Sequence, residues 1–381
     1  MEYTYLKDVC SITMGQSPES SSYNENGEGV PFFQGNADFG EVYPCVRVWS
    51  KEPKKMATAN DILISVRAPI GALNYAKEDC CIGRGLAAIT PSHKVNLKYI
   101  FYLLRAKNSE LNSKGTGSTF KAIGKSVLEE TLVPMLSLEG QDEIVSKVEC
   151  VEGVIRKRRE QLVELDNLIK SRFVEMFGNP LINSRGLDTM PMTEVCEIID
   201  GDRGKNYPTA DEFSKEGYCL FLNAKNVTTS GFNFDNCMFV SKEKDEALRK
   251  GKLSRGDVVL TTRGTLGNLA FYTDKIPFEH VRINSGMVIL RMKKEVLDEV
   301  YFIEQFKMQL ADIKDKIASG SAQPQLPIST MNKIQILIPS IELQIQFADF
   351  VRQVDKLKFE VQKSLDETQI LMDSLMQQYF G

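Results

Sequence analysis

The feature that most constrains the fold of this chain is an internal repeat that spans nearly all of its 381 residues. Residues 6–10 (LKDVC) return as residues 192–196 (MTEVC), and residues 60–71 (NDILISVRAPIG) return as residues 255–267 (RGDVVLTTRGTLG). Single positions also match between the copies: Gly15 and Gly201, Tyr99 and Tyr301, Ser137 and Ser340, Gln141 and Gln344, Phe177 and Phe380. A repeat with so long a period predicts two structurally equivalent units in one chain.

Each copy begins with strand-like segments and continues into an amphipathic helix. Apolar and β-branched residues cluster at 61–66 and 257–262 between Gly, Pro and Asn residues, which is typical of short strands. Helical spacing of apolar residues follows at 97–111 and 300–316, and a Gly-Ser loop comes next in both copies. This mixture predicts a compact α/β (α+β) module in each copy.

Each copy ends in a long helical pattern that contains no proline. Ser137 and Ser340 stand where they could cap these helices, and apolar residues then recur at spacings of three and four, as in a coiled coil. At 1.5 Å per residue, about 37 residues extend for roughly 55 Å, which is too long to serve one small module. We expect the two helices to pair antiparallel and to separate the modules, with approximate two-fold symmetry. The alternative is that each helix binds a separate partner chain.

The predicted coiled-coil seam and domain boundaries follow from these patterns. Arg158 interrupts the first seam, and Ser364 and Thr368 weaken the second. The predicted seam residues are Ile144, Val148, Val151, Ile155, Leu162, Leu165 and Ile169 in the first helix and Phe347, Phe350, Val354, Leu357, Val361, Leu371 and Leu375 in the second. The predicted domains are residues 1–136 and 188–339 for the modules and 137–178 and 340–381 for the helices.

Composition narrows the classes of function. Lys and Arg total 47 against 51 for Asp and Glu, a net charge of −4, so any nucleic-acid contact must come from a local patch or from partner chains. No apolar run approaches the roughly 18 residues of a membrane span, and the first residues lack the pattern of a secretory signal, so we expect a cytoplasmic protein with no membrane contact. Eight cysteines without a CxxC pair and only two histidines predict reduced thiols and no metal site.

Two glycine-bearing strings resemble cofactor loops, and neither has the required context. Residues 124–126 (GKS) lack the earlier glycine of a P-loop, because Thr119 occupies that position. Residues 83–85 (GRG) are followed by strand-like residues 86–91 instead of a helix whose N-terminus could meet a phosphate or ribose. We therefore predict no catalytic residues in this chain; an S-adenosylmethionine-dependent enzyme with an atypical glycine loop is an alternative.

The loops of both modules carry side chains that suit DNA. Arg and Lys pair with guanine, Asn and Gln pair with adenine, and Ser and Thr bind phosphate. Arg67 and Arg263, each just after the matched strand, are the first candidates, with an ion pair inside the module as the alternative role. Two related modules on a rigid rod suit two half-sites about one helical turn apart. The other candidate DNA-binding residues are Gln16, Ser17, Gln34, Asn36, Ser118, Thr119 and Lys121 in the first copy and Arg203, Lys205, Asn223, Lys225, Ser321, Gln323 and Gln325 in the second.

Over its whole length, this sequence resembles the specificity subunit of type I restriction-modification systems. The strand-and-turn strings quoted above carry the resemblance, together with GTGSTFKAI and ASGSAQPQL in the loops, VPMLSLEGQDEI and IPSIELQIQF at the helix starts, and SRFVEMFG and SLMQQYFG at the helix ends. No single string is specific to the family, but their order occurs twice.

The resemblance implies a non-catalytic subunit with two target-recognition domains. Each domain would read one half of a bipartite, asymmetric target in double-stranded DNA, and the helices would set the spacer and dock two methyltransferase subunits. A motor-nuclease subunit would be a further partner. S-adenosylmethionine, ATP and Mg²⁺ would belong to the partners, with no cofactor in this chain. A coiled-coil adaptor without DNA contact is the remaining alternative.

Overall fold

The computed structural model describes residues 2–117, 121–318 and 325–381. The chain forms two compact units, one of Met1–Glu160 with Gln362–Gly381 and one of Gln161–Val361. Each unit therefore contains one module and a part of both long helices. Within the described ranges, none of the helices combines the length and hydrophobicity that crossing a bilayer requires.

The first module is built on a four-stranded antiparallel sheet. Its strands are β1 Glu2–Tyr5, β2 Cys10–Met14, β3 Tyr23–Asn24, β4 Val30–Phe33, β5 Val48–Ser50, β6 Met56–Ala57, β7 Ile62–Ser65, β8 Leu73–Tyr75, β9 Cys80–Ile82, β10 Leu86–Pro91 and β11 Leu132–Met135. Its helices are α1 Leu6–Val9, α2 Leu97–Ala106, α3 Asn108–Ser113 and α4 Lys125–Glu129. The main sheet has the order β2-β10-β7-β8, a second sheet has the order β3-β5-β4-β9-β6, and β1 pairs with β11.

The second module repeats this plan. Its strands are β12 Thr189–Pro191, β13 Cys196–Asp200, β14 Cys219–Leu222, β15 Val227–Thr228, β16 Gly231–Phe232, β17 Phe239–Val240, β18 Val258–Thr261, β19 Leu269–Phe271, β20 Val281–Ile283, β21 Met287–Met292 and β22 Gln335–Leu337. Its helices are α6 Met192–Val195, α7 Lys242–Ala247, α8 Glu299–Ala318 and α9 Ile328–Met331. The order β13-β21-β18-β19 corresponds to the main sheet of the first module, β12 pairs with β22, and β14 lies parallel to β20 as β4 does to β9. The predicted repeat and mixed α/β class are confirmed.

A buried glutamine joins each module to the start of its long helix. Gln141 Oε1 accepts from the N–H of Asn96 at 2.8 Å, and its Nε2 donates to the Leu136 carbonyl at 3.0 Å. In the second copy, Gln344 makes equivalent bonds, accepting from the N–H of Asp298 at 3.0 Å. Both glutamines are fully buried. Because a buried amide must be hydrogen-bonded to be tolerated, these two side chains fix the geometry of the junction.

The long helices are α5 Leu138–Phe177 and α10 Ile341–Phe380, each of 40 residues. Ser137 caps α5 as predicted, since its Oγ accepts from the N–H of Gly140 at 3.2 Å. In the first unit, Arg158 Nη1 donates to Ser364 O and Thr368 Oγ1.

The helix contacts run in opposite directions along α5 and α10 in both units. In the first unit, Lys147 lies 6.0 Å from the ring centre of Tyr379, further along α10 than the Arg158 contacts. In the second unit, Asp166 pairs with Lys358, and Phe173 packs against Phe347 earlier in α10. The two helices are therefore antiparallel within each unit.

Two of the predicted seam positions of α10, 357 and 371, are displaced by one residue. Leu357 and Leu371 are 56% and 51% exposed, so their assignment to this intramolecular seam was wrong. The contacts with α5 are instead made by half-buried Lys358, whose Nζ lies 2.6 Å from Asp166 Oδ1, and the buried position is Met372, which is 2% exposed. Of the other predicted residues, Ile144, Val148, Ile155, Ile169, Phe347 and Val354 are buried, and Val151, Leu162, Leu165, Phe350, Val361 and Leu375 are half-buried.

Candidate nucleic-acid interface

In the first module, loops from distant parts of the sequence meet beyond the end of β7. The N–H of Gly85 donates to Gln34 O at 3.1 Å, and the N–H of Val66 donates to Gly85 O at 2.9 Å. A Cβ atom on Gly85 would lie 2.5 Å from Gln34 O, and one on Gly15 would lie 2.1 Å from Gly83 O. Only glycine allows backbones to approach this closely. The glycines therefore allow these loops to pack against one another, and the backbone hydrogen bonds join them.

These loops border an open concavity of about 380 Å³. The concavity is lined by three of the predicted DNA-binding residues, Gln34, Asn36 and Arg67. Arg47 and Arg84 also line it. The structure thus brings three of the predicted residues to one place and adds two arginines to them. Guanidinium and amide groups in one concave surface match the donors and acceptors of DNA.

The three arginines of this concavity differ in their partners. Arg47 Nη2 donates to Asp38 Oδ1 at 2.5 Å and to Ala37 O at 2.7 Å, so its charge is compensated. Arg67 is exposed, and neither it nor Arg84 forms an ion pair with any residue that the structure describes. The alternative of an internal ion pair for Arg67 therefore finds no support in those ranges, and two uncompensated guanidinium groups face an open surface.

The remaining candidates of the first copy flank this surface. The N–H of exposed Gln16 donates to Ile82 O at 2.9 Å. The Oγ of Ser17 accepts from the N–H of Arg84 at 3.4 Å. The carbonyl of exposed Lys121 accepts from the N–H of Ala68 at 3.0 Å, which places the end of the Gly-Ser loop beside Arg67. The candidates Ser118 and Thr119 lie outside the described residues.

In the second module, Arg263 occupies the position that Arg67 has in the first. It is exposed, and it forms no ion pair with the described part of the chain. The backbone of Arg263 forms an isolated antiparallel β-bridge with that of exposed Gln325, just as the backbone of Arg67 does with that of Ala122. The candidates Ser321 and Gln323 lie outside the described residues. The matched strand therefore presents an arginine beside the same loop in both modules.

Arg203 lies on the loop that follows β13. Its Nη2 donates to Asp200 Oδ1 and to Ser285 O, each at 3.2 Å. The adjacent Asp202 is 5% exposed and accepts from the N–H groups of Gly204 and Arg249, both at 2.7 Å. The backbone bond from Gly204 is the main reason that the pKa of Asp202 lies below its usual range. The carboxylate therefore fixes the loop that carries Arg203 and exposed Lys205.

Asn223 and Lys225 lie on a short turn beside the Arg263 loop. Asn223 Oδ1 accepts from the N–H of Lys225 at 2.9 Å, so this oxygen caps the turn while the Lys225 side chain is exposed. Thr265 Oγ1 donates to Ala224 O at 3.4 Å and joins the turn to the Arg263 loop. Of the two candidates, Lys225 is therefore the freer to meet a ligand.

Sequence reasoning missed Arg47 and Arg84. Arg47 stands in a loop without a motif, and its position depends on Asp38. The sequence around Arg84 could have indicated a ligand-binding residue, since Arg84 lies between two glycines in a turn that joins two strands. That string suggested only a cofactor loop. In the structure β10 follows directly, as predicted, so no helix N-terminus is available for a cofactor phosphate.

The described residues also bear on two other kinds of site, metal centres and reactive thiols. Within those ranges, no group of three or more His, Cys, Asp and Glu side chains is arranged to hold a metal ion. Burial raises the pKa of the Cys10, Cys80, Cys196 and Cys219 thiols to about 12, so these thiols are protonated at neutral pH and are poor nucleophiles.

Comparisons with known proteins match this chain to a family of DNA specificity domains. The family described as "Type I restriction modification DNA specificity domain" matches residues 1–165 and 185–368. The type I restriction enzyme MjaIX specificity subunit of Methanocaldococcus jannaschii is 22% identical over 97% of this chain and 90% of its own length. The putative MjaX specificity subunit of the same organism is 45% identical over 40% of this chain, but the match spans only 36% of that relative. The crystal structure of a type I restriction-modification S subunit from M. genitalium shares the fold, with 18% identity, a TM-score of 0.52, and coverage of 100% of this chain and 96% of that one.

Proposed function

Because the chain belongs to the family of type I restriction-modification DNA specificity subunits, we propose that each of its two modules reads one half of a bipartite, asymmetric target in double-stranded DNA. Subunits of this family supply DNA recognition and are not catalytic themselves. The two half-sites differ in sequence, because the loops around the matched strand differ between the modules.

One observation carries this proposal: two residues beyond the same strand, each module presents an exposed arginine that forms no ion pair with the residues the structure describes. Arg67 follows β7, and Arg263 follows β18. A cation that is not neutralised by its own protein is free to bind the phosphates or base edges of DNA. The overall charge of −4 does not oppose this, because binding depends on the local surface and on what partner subunits add to it.

We further propose that the long helices dock two methyltransferase subunits and fix the spacer between the half-sites. The exposed apolar side chains of α10 suit docking, because large apolar residues on a helix surface favour burial by a partner. They include Leu357, Phe359, Ile370 and Leu371. S-adenosylmethionine then belongs to the methyltransferase subunits, and ATP and Mg²⁺ belong to a motor-nuclease subunit where one joins.

The proposal can be tested by mapping methylated bases in DNA. The full chain would be co-expressed with its methyltransferase subunits, and methyladenine would be located by single-molecule sequencing. We expect methylation at one split, asymmetric motif and a strong loss of it in an Arg67→Ala/Arg263→Ala double variant.

Lys77→Ala and Lys275→Ala are matched controls. Both lysines are exposed, and each follows the strand partner of β7 or β18 at the end opposite to the arginine. They should leave the methylation pattern unchanged. Normal methylation in the double arginine variant would contradict the role of these side chains, and the absence of any split motif in the wild type would contradict the proposed function itself.

A further inference from the structure

A serine and an arginine have exchanged places between the two modules. Met14 pairs with Ala87 and Asp200 pairs with Val288, so the equivalent strands align residue by residue. Counting on from these pairs, position 17 corresponds to 203, and position 84 corresponds to 285. The first module has Ser17 and Arg84 at these positions, whereas the second has Arg203 and Ser285.

The two positions lie next to each other in both modules. Ser17 Oγ accepts from the backbone N–H of Arg84 at 3.4 Å. In the second module, Arg203 Nη2 donates to the backbone carbonyl of Ser285 at 3.2 Å. The backbone beneath them is also the same. A Cβ atom on Gly15 would lie 2.1 Å from the carbonyl oxygen of residue 83, and one on Gly201 would lie 2.1 Å from that of residue 284.

Each module therefore has one guanidinium group at this junction, supplied by a different loop. Arg84 is exposed and forms no ion pair within the described ranges. Arg203 is also exposed, and 49% of its side chain stays accessible to a ligand although its Nη2 lies 3.2 Å from Asp200 Oδ1. The guanidinium group thus stands at the same place in both modules, although the position that supplies it differs.

We propose that Arg84 and Arg203 are equivalent positioning residues that each bind a phosphate of the DNA backbone in their half-site. A bidentate contact to a base edge requires a fixed approach of the guanidinium plane, and an arginine moved to another loop does not preserve that approach. A phosphate requires only positive charge and N–H donors within reach. The two modules share a positive charge at this junction but not the direction from which the guanidinium group approaches. A shared charge without a shared approach fits a phosphate better than a base edge. This inference rests on the proposed function.

The first test measures how salt affects DNA binding by the full chain in complex with its methyltransferase subunits. Each phosphate contact contributes about 0.9 to the slope of log K against log salt concentration. Arg84→Ala and Arg203→Ala should each make the slope less steep by about 0.9 and weaken target and non-target DNA by the same factor. The methylated motif should stay the same, because a phosphate contact carries no sequence information.

The second test exchanges the two side chains within one module. The double variant Ser17→Arg/Arg84→Ser gives the first module the arrangement of the second, and it should recover the wild-type slope that Arg84→Ser alone loses. Arg203→Ser/Ser285→Arg is the reciprocal variant. Thermal unfolding of each variant shows whether the fold is retained. A double variant that unfolds like the wild type and recovers the slope shows that the lost charge, and not a folding defect, changed the slope.

Three results would overturn the inference: an unchanged slope in the alanine variants, a changed base at one position of the methylated motif, or no recovery in the exchange variants. These outcomes are distinct from a failure of the proposed function. If the proposed function itself were wrong, the wild-type complex would already bind target and non-target DNA equally.

Discussion

At the scale of single residues, the matched glutamines show how one side chain can join two elements. Gln141 links the start of α2 to the start of α5 through Asn96 and Leu136, and it is fully buried. Removing the amide leaves the N–H of Asn96 and the carbonyl of Leu136, both in half-buried residues, without these partners, which costs more than the bond itself contributes.

We expect Gln141→Ala to lower the free energy of unfolding by about 1–3 kcal/mol, the cost typical of buried groups left unsatisfied. Gln344→Ala should have a similar effect in the second unit. Chemical denaturation of the full chain measures both. Gln362→Ala is the control, because Gln362 is exposed and bonds only Asp366 among the described residues. A loss no larger than that of the control would show that the junction does not depend on this side chain.

Asp202 gives a prediction about pH. Its folded-state pKa is lowered, chiefly by the N–H of Gly204, so its contribution to stability is present above the unfolded value of 3.8 and is lost as pH falls through the lower folded value. Asp202→Asn should therefore be less stable than the wild type at pH 7, and the difference should shrink below about pH 4.

Denaturation midpoints of both proteins at pH 7, 5, 4 and 3 measure this dependence, with Asp211→Asn as the exposed control. A difference that stayed constant across this range would rule out the carboxylate charge as its cause.

Part of the candidate site could be predicted from sequence: Gln34 and Asn36 from their place in a loop, and the two matched arginines from the repeat. Arg67 and Arg263 follow strands that match between the copies, so comparing the copies identifies them. Arg84 and Arg47 reach the same concavity through tertiary contacts: the backbone of Arg84 bonds Ser17, far away in the sequence, and the side chain of Arg47 bonds Asp38 in the preceding loop. Loop convergence of this kind depends on tertiary packing, and no local pattern records it.

At the scale of elements, the repeat predicted the paired modules and the long helices, but the helix register needed the structure. The matched strand predicted at 257–262 is β18 Val258–Thr261, and α10 begins directly after Ser340. Two seam positions of α10, 357 and 371, were misplaced because a search for heptads favours apolar residues, whereas the neighbouring position 358 is a lysine. The long aliphatic part of a lysine side chain can lie in such a seam while its amine reaches Asp166.

Two neighbouring residues test this register. Met372 is 2% exposed in the core of the first unit, and the adjacent Leu371 is 51% exposed. Met372→Ala should cost about 2–5 kcal/mol of unfolding free energy, as expected for a buried Met, whereas Leu371→Ala should change it by less than about 0.5 kcal/mol. Chemical denaturation of the two variants decides the register, and a larger loss for Leu371→Ala would restore the seam predicted from sequence.

At the scale of the whole molecule, the proposed roles of the helices and the modules are separable. The modules carry the candidate DNA-binding side chains, and the described part of each long helix contributes mainly packing and ion pairs. A change in helix length that preserves the seam should therefore alter the spacer of the DNA target and leave both half-sites intact.

Inserting seven residues into each long helix, after Glu160 and after Val361, tests this separation. Seven residues keep the heptad register and lengthen each helix by about 10 Å, because the rise is 1.5 Å per residue. At 3.4 Å per base pair, the spacer of the methylated motif should grow by about three base pairs. Single-molecule sequencing of methylated DNA measures the spacer.

An insertion in α5 alone is the control, because it breaks the pairing with α10 and should abolish methylation. A doubly lengthened protein that still methylates the original spacing would show that the helices do not set the distance between the half-sites.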